Sequence, residues 1–166
     1  ALEILNQLAP YKPIFAEAPV KPEDIDGLLS VAAQSLVPIA AGEEWPTEYV
    51  AGPRLKTKAI SFVQPEMAHT GVTQFLRIAK LAQNSGASLA PHATIGAGFF
   101  LSASLQVSAA IPNVVAHEFQ HSVFNGSKAI VSTALACNQG LYRLPTGPGL
   151  GVEPGPRFME HATHVG

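Results

Sequence analysis

"ISFVQPEMAHTGVTQFLRIAKLA", residues 60 to 82, changes period in its middle. Its first part belongs to a short continuous apolar run, Ala59–Gln64, of the kind that forms a parallel strand covered on both faces. From Val72 onward, Phe75, Leu76, Ala79 and Ala82 repeat at helical spacing, and Gly86 is placed to stop that helix. Between strand and helix stands Glu66. One strand, one turn with an ionisable group and one helix make a single βα unit.

The same unit recurs in both directions. Further apolar runs are Pro13–Ala18, Leu36–Ala41, Ser88–Pro91 and Asn113–Ala116. Ile25, Leu28, Leu29, Ala32 and Ala33 keep helical spacing, and Pro22 suits a first helical turn. The segment after Trp45 is less regular, because Gly52-Pro53 should break a helix there. Gly96 to Ile111 is apolar nearly all round and reads as a buried helix ending at Pro112.

An ionisable group follows each strand: Glu17, Glu43, Glu66, His92 and Glu118, separated by 26, 23, 26 and 26 residues. That is the length a βα repeat needs. Residues at the carboxyl ends of parallel strands converge on one site. The bland alternative makes each a solvated loop charge, but scattered carboxylates would keep no common phase, and the chain has only 12 acidic residues to scatter. Four complete units and a fifth strand fall short of the eight that close a barrel, which takes about 250 residues. An open half-barrel leaves strand edges and an apolar face unpaired. The chain therefore reads as part of a larger enzyme, and its start at Ala1 without Met agrees with a fragment or processed product. The partial barrel is expected over residues 1–124, and a C-terminal extension with Gly/Pro-rich turns over 125–166.

Composition narrows the function. Hydrophobic residues make up 47% of the 166 and charged ones 13%, with a net charge of −2 and no Lys/Arg cluster. That argues against nucleic-acid or anionic-membrane partners. No run is long and apolar enough to span a bilayer, and no charged segment followed by an apolar one opens the chain. The single cysteine, Cys137, cannot form an intrachain disulfide and reads as buried, in keeping with a cytoplasmic protein.

One motif competes. His117-Glu118-Phe119-Gln120-His121 is the H-E-x-x-H string of zinc peptidases, which needs a helix to bring both histidines to one face. A third ligand is also needed. Phe124 and Ser127 stand where the extended form has Gly and His, and Glu153, Glu160, His161 and His164 are distant and read as a flexible tail. Pro112 to Val115 looks like a strand start, and Glu118 falls on the 26-residue phase. The zinc peptidase is the weaker reading.

The stretches "IFAEAPVKPEDIDGL", "VPIAAGEEW", "ISFVQPEMAHTGVTQFLRIAKLA", "LAPHATIGAG" and "AAIPNVVAHEF" resemble, in order and spacing, the mandelate racemase/muconate lactonising enzyme group of the enolase superfamily. "LPTGPGLGVE" resembles a late segment of its acid-sugar dehydratases, and the resemblance covers roughly residues 1 to 153. It implies an α/β fold, the C-terminal half of a (β/α)8 barrel with strands four to eight, lacking the capping domain and first three strands. It implies Mg²⁺ as cofactor, with Glu17 and Glu43 as metal ligands and a third ligand outside this chain. His92 would be the base, Glu66 its carboxylate partner where the family usually has Asp, and Glu118 the acid contacting the substrate carboxylate. Ala18 departs from the family, which usually has a second Glu before Pro19. Trp45 and His69 are further candidates for substrate contact, although packing suits Trp45 equally and an exposed loop histidine is the safer reading of His69.

The implied reaction is dehydration of an aldonic or aldaric acid to a 2-keto acid, a carbon–oxygen lyase activity. Alternatives are a racemase, epimerase or cycloisomerase of the same group, or a non-catalytic fragment. The chemistry suits the residues. Removing a proton α to a carboxylate builds charge that a divalent cation on oxygen ligands can offset. A neutral histidine backed by a carboxylate can take that proton. Glu118 would hold a proton through burial near other carboxylates. The partners implied are a small sugar acid and, for the full-length protein, further copies of itself.

Overall fold

A computed structural model describes residues 1–93, 96, 98–132 and 135–163. The elements run α1 (Leu2–Leu8), β1 (Ala16–Glu17), α2 (Ile25–Gln34), β2 (Ile39–Ala41), α3 (Glu48–Leu55), β3 (Phe62–Val63) and α4 (Met67–Ser85). They continue with β4 (Ser88–Leu89), α5 (Phe99–Ala109), α6 (His121–Ile130), β5 (Ala136–Asn138), β6 (Leu141–Arg143) and α7 (Pro156–His161). Strands β1 to β4 form one parallel sheet in sequence order. Ala16 pairs with Ile39, Ala40 with Phe62 and Phe62 with Ser88. Every crossover is a helix, as parallel neighbours require.

The five expected strands all stand in this sheet, though shorter than their apolar runs. The fifth is one parallel bridge, Leu89 to Val114. Main-chain bonds from Leu89 N to Asn113 O (2.8 Å) and from Glu118 N to Pro91 O (3.0 Å) extend it. Four βα units plus a fifth strand are the arrangement of the second half of a (β/α)8 barrel.

The main core is Ile39, Ala41, Val63 and Leu89 from the sheet against Leu28, Leu55, Phe75, Ile78 and Ala82 from the helices. Leu101 and Leu105 of α5 lead into a second cluster with Phe124, Val131, Leu135 and Val152. α5 thus ties the C-terminal segment to the sheet, and α6 runs without interruption through residue 124.

Three local expectations are corrected. α2 starts at Ile25 rather than at Pro22, because the Asp24 side chain accepts from Gly27 N at 2.8 Å and fixes the cap there. α3 passes through Gly52-Pro53: Ala51 and Leu55 are buried in the main core, and the helix ends two residues after the proline. The segment from Glu153 is no free tail, since Val131 bridges Pro154 and Phe158 of α7 packs edge-on to Phe99 at 5.4 Å. His164 lies outside the described residues. Gly86 caps α4 in the left-handed region (φ 85°), as its position suggests. Among the described residues no helix is long and apolar enough to cross a membrane.

Candidate active site

All five ionisable groups stand at or just beyond the carboxyl ends of the parallel strands, and the backbone there is shaped for it. Gly42 precedes Glu43 at φ 127°, where a Cβ would meet Trp45 Cε3 at 3.0 Å and Gln64 N at 3.3 Å. Ala18, after Glu17, sits at φ 42°, a strained value for a residue with a Cβ. The side chains converge because neighbouring strands hold the same phase of the repeat in register.

His92 is the hub. Its Nδ1 lies 2.5 Å from Glu66 Oε2. Its Nε2 lies 3.2 Å from Glu43 Oε2 and 3.7 Å from Glu118 Oε2. Glu66 is 3% exposed, and its other oxygen accepts from Ala68 N at 3.0 Å, capping α4. A carboxylate at a helix N-terminus is favoured by the helix dipole. Glu in place of Asp therefore still reaches the histidine, and its second oxygen serves the helix. A carboxylate only accepts, so Nδ1 carries the proton and Nε2 faces the acidic cluster.

The electrostatics differ from the neutral base expected. The Glu66 hydrogen bond raises the His92 pKa to about 9, against the lowering effect of burial and with help from Glu118 and Glu43. Three carboxylates around one imidazole favour its cation. Burial, then the charges of Glu118 and Glu43, also push the Glu17 carboxyl up, while a hydrogen bond from Gln64 pulls it down. Glu17 and Glu43 thus present hard oxygen donors in a region with excess negative charge, which fits two positions around a divalent cation. Among the described residues no three His, Cys, Asp or Glu side chains form a complete cage.

Glu118 is exposed rather than buried, and its carboxylate accepts from Ala93 N at 3.0 Å. His69 lies in the first turn of α4 rather than in a loop, with Nδ1 3.0 Å from the Glu43 carbonyl. With Glu43, Glu44, Glu66, Ala68 and His92 it lines a cavity of about 130 Å³. A larger cavity, about 450 Å³, lies between α6 and α7, and none of the five strand-end groups lines it. Trp45 is 1% exposed and belongs to the main core, with the Arg54 guanidinium 5.5 Å above its ring, so it packs beneath the site and does not line it.

The zinc reading fails on geometry. Residues 116–120 are not helical and α6 begins only at His121, so the two histidines do not share a helix face. Both His117 ring nitrogens are engaged, Nε2 with Ser104 Oγ at 2.8 Å and Nδ1 with the Glu118 carbonyl at 3.0 Å. Cys137 is partly exposed in β5 rather than buried.

Two contributors escaped the sequence reading. Gln64 lies two residues before Glu66, and period-2 alternation should have placed both on the site's face. Tyr142 donates from its hydroxyl to the Glu118 carbonyl at 3.0 Å, and no sequence signal marks that contact.

Comparison with known proteins agrees with this architecture. Residues 1–157 match the family described as enolase C-terminal domain-like. A structure from Sinorhizobium meliloti, named provisionally an isomerase, is 49% identical with a TM-score of 0.91, covering 96% of this chain and 42% of that one. An enolase superfamily member from Agrobacterium tumefaciens is 46% identical, with a TM-score of 0.91 and coverage of 96% and 41%. A structure from Mesorhizobium loti, named provisionally a dehydratase, is 25% identical, with a TM-score of 0.88 and coverage of 96% and 43%. The chain spans less than half the length of these relatives. A match over nearly all its residues, on a sheet that gathers acids and one histidine at its strand ends, means that the chain belongs to the enolase C-terminal domain-like family.

Proposed function

We propose that the full-length protein is a Mg²⁺-dependent dehydratase of sugar acids, for which this chain supplies the base and two metal ligands. The observation that carries the reading is the His92–Glu66 pair at 2.5 Å, with Nε2 turned to Glu43 and Glu118. Glu17 and Glu43 would hold the cation, which offsets the charge that builds on the substrate carboxylate as the α-proton leaves.

The chain's own residues do the rest. His92 Nε2 takes the α-proton once the acidic cluster is balanced, and Glu66 keeps the ring in the Nδ1–H tautomer and steadies its cation. Glu118 contacts a substrate oxygen beside it. The C–H electron pair then forms the C=C bond as the β-hydroxyl leaves with the proton from His92, giving water and an enol that becomes the 2-keto acid. Glu66 does not lose its own charge in any step.

The 49% identical relative named an isomerase favours a second reading, return of the proton to the other face of the same carbon. That step needs a second base, and among the described residues His92 is the only histidine paired with carboxylates.

The test is a screen of the full-length enzyme with Mg²⁺ against aldonic and aldaric acids in D₂O. A 2-keto acid product that disappears in His92→Asn supports the dehydratase. Deuterium at the α-carbon with the β-hydroxyl retained would replace it by the isomerase. In Glu17→Gln, Mg²⁺ affinity measured by calorimetry should fall about tenfold or more, and unchanged affinity would remove Glu17 from the metal site.

A further inference from the structure

Glu118 is the last of the five groups and the most weakly framed by the sheet, since the fifth strand is one bridge and residues 116–120 have no regular structure. Its carbonyl oxygen is nevertheless held twice. Tyr142 Oη donates to it at 3.0 Å from β6, and His117 Nδ1 lies 3.0 Å away. A carbonyl only accepts, so His117 Nδ1 carries a proton. In the neutral ring Nε2 is then an acceptor, and Ser104 Oγ, 2.8 Å away on α5, must be its donor. The His117 and Tyr142 rings meet edge-on at 5.5 Å, closing the arrangement.

We propose that Tyr142 and His117 are positioning residues: with Ser104 behind His117, they clamp Glu118 by its main-chain carbonyl and so aim its carboxylate at His92. Two donors saturate the two lone pairs of that carbonyl, while Glu118 N is held by the Pro91 carbonyl at 3.0 Å. The peptide units on both sides of the Glu118 Cα are therefore fixed, which leaves only side-chain rotation to place the carboxylate. The Ala93 N–H at 3.0 Å limits that rotation too. Ser104 is fully buried in α5 and Tyr142 is half-buried in β6 against Phe119 and Phe124, so His117, itself on the loop, is braced from a packed helix and Tyr142 reaches the loop from a strand. Burial keeps both donors in the required form, pushing the Tyr142 hydroxyl up and the His117 imidazole down from their ordinary values. The C-terminal hairpin thereby becomes part of the site's support, although it carries none of the five strand-end groups.

The inference deepens the proposed function, because it takes Glu118 as the group that contacts substrate. Its test uses Tyr142→Phe and Ser104→Ala in the full-length enzyme, each removing one hydroxyl and leaving the surrounding packing. Two readouts are needed: hydrogen exchange at the Glu118 amide without substrate, and kcat and KM on a sugar acid that is turned over. A contact that strengthens as charge develops acts on kcat more than on KM. The expected result is faster Glu118 exchange, with kcat lower by about tenfold, the lower end for residues that orient a site from behind, and KM little changed. Unchanged exchange in both variants overturns the clamp, and faster exchange with unchanged kcat overturns its role in positioning. Faster exchange in an enzyme that turns over no sugar acid upholds the clamp and sinks the substrate assignment instead.

Discussion

At the residue scale, Glu66 decides how the site is wired. One of its oxygens holds His92 and the other caps α4, so the dyad and the start of the helix are one feature. Gln at this position keeps an oxygen for the cap but loses the charge that steadies the histidine cation. Glu66→Gln should therefore preserve thermal stability to within about 1 kcal/mol while lowering kcat by roughly 10²–10⁴-fold, the range general-base catalysis supplies. Steady-state kinetics beside a melting curve checks both halves, and parallel losses would mean that Glu66 matters mainly as a cap. The position of Glu66 after its strand is plain in the sequence. Its double use is not, because nothing in the linear order says which oxygen of a carboxylate meets the helix.

Among the elements, the turn after β2 shows how backbone conformation sets a side chain. Gly42 occupies a φ of 127° with Trp45 and Gln64 N packed against the place where a Cβ would stand. Gly42→Ala should cost about 1–3 kcal/mol from strain at that φ, and it should displace Glu43, which follows directly. Denaturant unfolding together with Mg²⁺ titration of the full-length variant tests this, and a stability loss without weaker Mg²⁺ binding would separate Glu43 from the metal. The helix-period segments of α2 and α4 were legible from the spacing of their apolar residues, and α5 from its nearly unbroken apolar run. α3 was not, because packing of Ala51 and Leu55 outweighs the local cost of Pro53.

For the whole molecule, His117 links the sheet to the C-terminal cluster through Ser104, Glu118 and Tyr142. Burial lowers its pKa below the ordinary value of 6.5. The unfolded chain therefore binds a proton that the folded one resists, and the His117 contribution to stability should fall as pH drops below about 6.5. His92, raised to about 9, contributes in the opposite sense, so the His117 part is read as a difference between variants. Urea midpoints at pH 7.5 and 5.5 measure it: relative to the unchanged protein, His117→Gln, which cannot titrate, should gain stability at pH 5.5. An equal change with pH in both proteins would assign the pH dependence to other groups.

The sequence by itself determined the βα repeat, the parallel sheet and the phase of Glu17, Glu43, Glu66, His92 and Glu118. It could do so because a strand and a helix of fixed length return the chain to the same end of the sheet every 23 to 26 residues. Only the tertiary structure decided that His117 and His121 share no helix face, that Trp45 lies in the core, and that Tyr142 reaches Glu118 from 24 residues away. Those outcomes depend on which surfaces pack together, a choice made by burial and geometry over the whole chain and written in no local pattern.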